Sequence, residues 1–136
     1  MLYLDNDVLR KFARPDPDPA VVDYLSRHGS EPWGISTVVL YEFLSYYSSA
    51  GTRQKRLQTL KTDVVDDIAA FDEDAAVEAA SMDSSLEDAN ASLDAADLMI
   101  AATARRYGGT LVTANKRDFD KRPIHQLMDV DIVDVS

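Results

Sequence analysis

The chain of 136 residues contains no cysteine. Disulfide staples, thiolate zinc sites, iron–sulfur clusters and a cysteine nucleophile are therefore excluded. Histidine is almost as scarce, with only His28 and His125, so a histidine-rich metal centre is excluded and a hydrolase triad would have to use one of those two. No apolar run approaches the ~18 residues that span a bilayer, and no basic segment leading into an apolar one marks the N-terminus for export. The expectation is a cytoplasmic protein with no membrane attachment. Lysine and glutamate are also sparse: the 24 acids divide into 19 Asp and 5 Glu, and the 14 bases into 9 Arg and 5 Lys.

Aspartate is what the chain has in excess. The net charge is -10 and the isoelectric point lies near 4.4. This balance resembles proteins of halophilic cytosols, where molar salt shrinks the Debye length to ~3 Å and a dense hydrated acidic coat is tolerated. An acidic mesophile protein is the plainer alternative. Hydrophobic residues at 46% and charged residues at 28% are near globular averages, which argues against a disordered or fibrous chain. The length suits one domain, 1–136.

Met1-Leu2-Tyr3-Leu4 is a short apolar run ended by Asp5, the pattern of a strand buried on both faces whose carboxyl end emerges at the acid. Asn6 and Asp7 are N-cap residue types, and Val8, Leu9 and Phe12 then mark a helix stopped before Pro15. Pro15, Pro17 and Pro19 read as a loop, followed by a helix through Val21, Val22, Tyr24 and Leu25 up to Gly29. Further on, the pattern predicts a strand at 33–35, helices over 38–47 and 53–61, and a strand within 64–71, chiefly 68–71. Asp72 or Asp74 opens an Ala-rich helix to about residue 86, and Asp94 opens another ending at Tyr107, with Gly108 and Gly109 as C-cap residues. Residues 110–113 form a strand, 115–123 a polar basic stretch and 130–135 the last strand. This alternation implies an α/β fold with a mainly parallel sheet of about five short strands and helices on both faces. Ligands in such sheets bind beyond the carboxyl ends of the strands, near a switch in strand order.

Among so many acids, a candidate needs more than its charge. Asp5 ends the first strand, where a carboxylate is hard to solvate fully; helix capping is its alternative role. Asp7, at the start of a helix, reads as an N-cap or supporting group. Glu42 borders an apolar stripe formed with Val38, Val39 and Tyr46, from which it could simply reach water. Asp94 with Asp97 resembles a helix cap, but the following Leu98, Met99, Ile100, Ala101 and Ala102 let this helix press close to the sheet, bringing both acids near the strand ends. Asp97 is the favoured direct ligand and Asp94 the cap and supporting group. Asn115 and Asp118 follow the strand at 110–113, beside the densest basic run, Lys116, Arg117, Lys121 and Arg122. An acidic site next to that run would suit a metal ion and a phosphate backbone together, although a charge run is most often a solvated face.

These segments resemble the PIN domain, and most closely the VapC-like ribonuclease toxins of toxin–antitoxin pairs, with a composition that points to a haloarchaeal member. The likeness spans nearly the whole chain. It is carried by Leu4-Asp5-Asn6-Asp7-Val8-Leu9, by the segment 36–43 around Glu42, by Ala96-Asp97-Leu98-Met99-Ile100-Ala101-Ala102-Thr103-Ala104, and by Leu111-Val112-Thr113-Ala114-Asn115 running to Asp118-Phe119. Asp7 departs from the family pattern, in which the first Asp is usually followed by Thr or Ser and then Asn. The resemblance implies a three-layer α/β/α sandwich, with Asp5, Glu42, Asp97 and Asp118 as catalytic acids. Asp5, Asp97 and Asp118 would hold the metal, supported by Asp7, Asp94, Thr113 and Asn115.

The implied chemistry is hydrolysis of RNA phosphodiesters assisted by Mg²⁺ or Mn²⁺, leaving a 3′-hydroxyl and a 5′-phosphate. Clustered carboxylates raise one another's pKa unless a cation compensates them, and all-oxygen ligation suits these hard ions. Lys116, Arg117, Lys121 and Arg122 are the candidate RNA-binding residues. By the same resemblance, the partners are an RNA substrate, a cognate VapB-like antitoxin and a second copy in a homodimer. Two rival readings stay open at this stage. The first segment also resembles the nucleophile motif of haloacid-dehalogenase-like phosphatases, with Asp5 attacking phosphorus and Asp7 as acid. A non-catalytic receiver-like or partner-binding domain is the other.

Overall fold

Leu2, Tyr3 and Leu4 form β1 (Leu2–Leu4), buried throughout and placed at the centre of a five-stranded sheet. In this computed structural model, which describes residues 1–135, the strand order is β3-β2-β1-β4-β5 and every pairing is parallel. The outer members are β2 (Trp33–Ser36), β3 (Asp67–Ala69), β4 (Thr110–Thr113) and β5 (Val130–Ile132). A central parallel strand is covered on both faces, which is why it carries no alternation of polar residues. The order runs outward from β1 to β3, then returns to β4 on its other side. The switch point therefore lies between β1 and β4.

Between β1 and β2 run α1 (Asn6–Ala13) and α2 (Pro19–Arg27); between β2 and β3 run α3 (Thr37–Ser45) and α4 (Ala50–Thr59). Helices α5 (Glu73–Asp88) and α6 (Ala95–Arg106) lead back to β4, and α7 (Lys116–Phe119) and α8 (Arg122–Leu127) join β4 to β5. Right-handed crossovers place the helices before β3 and those after it on opposite faces, giving the three-layer α/β/α sandwich. Leu4, Ile35, Leu111 and Val112 from the strands meet Val8, Leu9, Val39, Ile100 and Ala101 from the helices in one core. No helix among the described residues is long and apolar enough to cross a membrane.

The departures from the sequence reading are local. The third strand runs over Asp67–Ala69 because Gly34 to Ser36 of β2 are its partners, while Phe71 N–H leaves the ladder to donate to Thr37 Oγ1 at 3.0 Å. Pro19 opens α2 instead of closing a loop, since Asp18 caps that helix by accepting the Ala20 N–H at 2.9 Å. Ser49 starts α4 earlier than expected, and the helix then widens into a π turn over Leu60–Val64. The basic stretch 115–123 holds α7 and the start of α8, with Pro123 in the first turn of α8. Gly109 sits where an added Cβ would lie 2.4 Å from the Tyr3 ring, so the turn into β4 needs glycine for close approach; Gly108 supplies the left-handed conformation with φ of 71°.

Candidate active site

The carboxyl ends of β1 and β4 meet at the switch point. Asp5 N–H donates to Val112 O at 2.8 Å, extending the strand pairing to the acid itself. The Asp5 side chain is buried, at 6% exposure, with two donors: Asn6 N–H on Oδ1 at 2.8 Å and Thr113 Oγ1–H on Oδ2 at 2.7 Å. Thr113 Oγ1 in turn accepts the Asn115 N–H at 3.0 Å, so β4 and its loop hold the Asp5 carboxylate in one orientation. Asp5 also occupies the N-cap position of α1, a place the pattern at Asn6 and Asp7 had suggested for those residues. Asp7 instead sits in the first turn and accepts the Ala114 N–H at 3.3 Å from across the sheet.

Asp94 caps α6 by accepting the Asp97 N–H at 2.9 Å, and the cap sets Asp97 in the first turn, half-buried. Asn115 caps α7 and grips Asp118 twice: Nδ2 donates to Asp118 Oδ2 at 2.9 Å and Oδ1 accepts the Asp118 N–H at 3.3 Å. Glu42 is half-buried on α3, where Arg10 reaches over from α1 to donate to Glu42 O at 2.8 Å and Phe43 O at 3.3 Å. This tie between α1 and α3 was not legible from spacing, because Arg10 and Glu42 lie 32 residues apart. Lys116, Arg117 and Arg122 are exposed and Lys121 half-buried, beside Asp118 on α7 and the start of α8. His28 and His125 are engaged elsewhere, with Tyr24 O and Asp120.

Electrostatics shows which acids share a neighbourhood. The Asp97 carboxyl is pushed up to about 7, first by burial and then by the charges of Asp94, Asp5, Asp118 and Glu42. Asp5 is pushed up to about 6 by burial and by Asp7, against the lowering hydrogen bonds from Thr113 and Asn6, with Glu42 adding repulsion. Glu42 is raised by burial and by Asp94, with Arg10 opposing. Asp7 is raised by burial, against the Ala114 hydrogen bond and Lys11. The fold thus brings Asp5, Glu42, Asp94, Asp97 and Asp118 within electrostatic reach of one another at the switch point, with Asp7 beside Asp5 on α1. They are not drawn into a closed cage: among the described residues, no three acidic or histidine side chains converge closely enough to hold one ion directly. The donor set is nevertheless all oxygen, and the charges that bear on Asp97 and Asp5 are those of other acids, which fits a divalent hard metal reached partly through water.

A PIN-domain family profile matches residues 2–124. The chain belongs to the PIN-domain family. The PIN fold is also seen in VapBC2 from Rickettsia felis bound to a DNA fragment from their promoter, with a TM-score of 0.75 and 22% identity over 98% of this chain and 100% of that one. FitAcB from Neisseria gonorrhoeae gives a TM-score of 0.73 at 23% identity, covering 96% of each chain. A toxin–antitoxin complex from Klebsiella pneumoniae gives 0.70 at 20% identity, again over 96% of each chain. At these identities the likeness establishes the PIN fold. No curated protein matches the chain in sequence.

Proposed function

We propose that this PIN-domain protein is a metal-dependent endoribonuclease, the toxin of a VapBC-like toxin–antitoxin pair. The observation that carries the reading is Asp97 at the switch point, half-buried and surrounded by the charges of Asp94, Asp5, Asp118 and Glu42. Strongly perturbed acids gathered at the carboxyl ends of parallel strands mark functional sites more often than structural ones. Asp5, Asp97 and Asp118 would hold Mg²⁺ or Mn²⁺, one or two directly and the remainder through water. Such an ion supplies charge compensation at the phosphodiester and acidifies the attacking water. Thr113 and Asn115 orient Asp5 and Asp118, Asp94 sets Asp97 on its helix, and Glu42, whose charge bears on Asp5 and Asp97, would act as a proton acceptor. Lys116, Arg117, Lys121 and Arg122 lie beside Asp118 to neutralise backbone phosphates. The similar structures from Rickettsia felis and Klebsiella pneumoniae, a VapBC and a toxin–antitoxin complex, support an antitoxin as partner. The exposed Tyr41 on α3 offers apolar surface for the homodimer.

Neither rival gains from the geometry. The phosphatase reading gives Glu42 no role, although its charge bears on both Asp5 and Asp97. The deciding experiment incubates purified protein with total RNA, with and without Mn²⁺ in high salt, beside Asp97→Asn. Metal-dependent cleavage by the native chain and almost none by the variant is expected. Equal cleavage by both would remove Asp97 from the chemistry, and a phosphoaspartate trapped at Asp5 would favour the phosphatase.

A further inference from the structure

Next to the acidic centre, α1, α3 and α4 border an open pocket of about 540 Å³, within the range of small-ligand sites. Its charged lining is entirely basic: Arg10, Lys11 and Arg14 at the end of α1, and Arg56 on α4. In a chain of net charge -10, four cations and no acid on one wall make a local basic patch that suits an anionic ligand. Three aromatic rings, Phe43, Tyr46 and Tyr47, share the wall with Ala13 and Pro15. The two sets are interleaved. The Arg10 guanidinium lies 5.5 Å from the Phe43 ring centroid and 4.6 Å from that of Tyr46, and Arg56 lies 5.1 Å from Tyr47. The Arg10 bonds to Glu42 O and Phe43 O fix that guanidinium in place, while Tyr46 is left 72% exposed. Among the described residues neither Lys11 nor Arg56 is held in an ion pair, and Arg14 has only a long contact with Asp18 at 3.9 Å.

The pocket continues from the acidic site along two elements. Helix α1 carries Asp5 and Asp7 at its start and Lys11 one turn further, ~6 Å along the axis. Helix α3 carries Glu42 directly before Phe43. Fixed cations beside an open aromatic ring are the means by which proteins take single-stranded nucleic acid, whose phosphates need neutralising and whose unpaired bases stack. We propose that this pocket is a subsite for an unpaired nucleotide of the RNA strand leaving the acidic centre, with its base on Tyr46 and its phosphates along Arg10, Lys11, Arg14 and Arg56. The assignment rests on the ribonuclease reading and adds where, beyond the acidic centre, the strand is held as it crosses α1. An acidic peptide would use the cations but has no need of the exposed ring.

The test uses the full chain carrying Asp97→Asn, so that RNA survives, and a fluorescein-labelled single strand of about twelve nucleotides read by anisotropy, beside the same sequence as a duplex. Tyr46→Ala is expected to weaken single-strand binding about tenfold, and Tyr46→Phe to restore it. Arg56→Ala, on a helix with no buried residue, should weaken binding several-fold and lower the salt slope by about one. Thermal melts check that both variants stay folded. Parent-like RNA affinity in Tyr46→Ala and Arg56→Ala overturns the proposal; if both also lose affinity for a polyglutamate peptide, the pocket docks a protein instead. RNA cleavage by the native chain is read separately. A chain that fails to cleave, yet binds the strand through Tyr46 and Arg56, keeps the pocket and loses the nuclease assignment; one that cleaves and ignores both substitutions does the reverse.

Discussion

Thr113 stands between the backbone and the buried acid, accepting the Asn115 N–H and donating to Asp5 Oδ2. Thr113→Val keeps the shape, strands the half-buried Asn115 N–H and removes the one side-chain donor from Asp5. Unfolding in urea should show a loss of about 1–3 kcal/mol. Because that hydrogen bond opposes the rise of the Asp5 pKa to about 6, the acidic limb of RNA cleavage should also move to higher pH. A stability loss with an unmoved limb would make Thr113 structural only. Asp97 gives the opposite stability effect. Its folded pKa of about 7 lies above the ordinary value of 3.8, so the metal-free fold binds the extra proton. That contribution to stability is present at low pH and is lost as pH rises through about 4 to about 7. Asp97→Asn cannot ionise, so it should melt like the native chain near pH 4 and several degrees higher at pH 8, without metal, while RNA cleavage vanishes. Equal melting at pH 8 would mean that burial and the neighbouring carboxylates do not disfavour the Asp97 charge as described.

Capping separates two roles of one residue at the start of α6. Asp94 accepts the Asp97 N–H and also repels Asp97 and Glu42. Asp94→Asn keeps a capping oxygen and deletes the charge, whereas Asp94→Ala deletes both. The difference between them should be about 1 kcal/mol in favour of Asn, and Asn should equal or exceed the native chain above pH 7. An Ala variant as stable as the Asn variant would show that the cap contributes nothing. At this scale, much was legible in sequence. Asp5 after an apolar run, Asp94 as a cap, and Gly108 after the last turn of α6 are local signals, and the structure has each of them in place. What was not legible depends on partners far along the chain. β3 starts at Asp67 because β2 dictates its register, and β5 ends at Ile132 because β4, its partner, ends at Thr113. Pro19 reads as loop because only position within the helix tells a first-turn proline from an interior one. Arg10 was visible as a cation, but not its seat on the α3 backbone among aromatic rings.

Charge is a property of the whole molecule, and salt should act on it in two opposed ways. Helix α5 shows the strain: it carries Glu73 and Asp74 at its start, where acids suit the helix dipole, but also Glu87 and Asp88 in its last turn, where they oppose it, with no basic residue there in compensation. Repulsion of this kind is felt over a Debye length of ~10 Å at 0.1 M salt and only ~3 Å at 1 M. Melting temperature should therefore climb with KCl up to molar concentration and then level off, as screening saturates. A sugar osmolyte at matched osmolality should lack the early steep rise, because it strengthens burial without screening charge. A melting curve flat in KCl would end the halophile reading. RNA affinity runs the other way, since each phosphate neutralised by Lys or Arg loses counterion-release free energy as salt rises. Well below the melting temperature the fraction folded is already near one, so added salt cannot raise it, and kcat/KM for RNA should fall with KCl. Close to the melting temperature the gain in folded protein should dominate at first, and cleavage should pass through a maximum in salt. Measuring cleavage against KCl at two temperatures separates these terms: a maximum that persists far below the melting temperature would mean that salt acts on the site itself and not on the stability of the acidic fold.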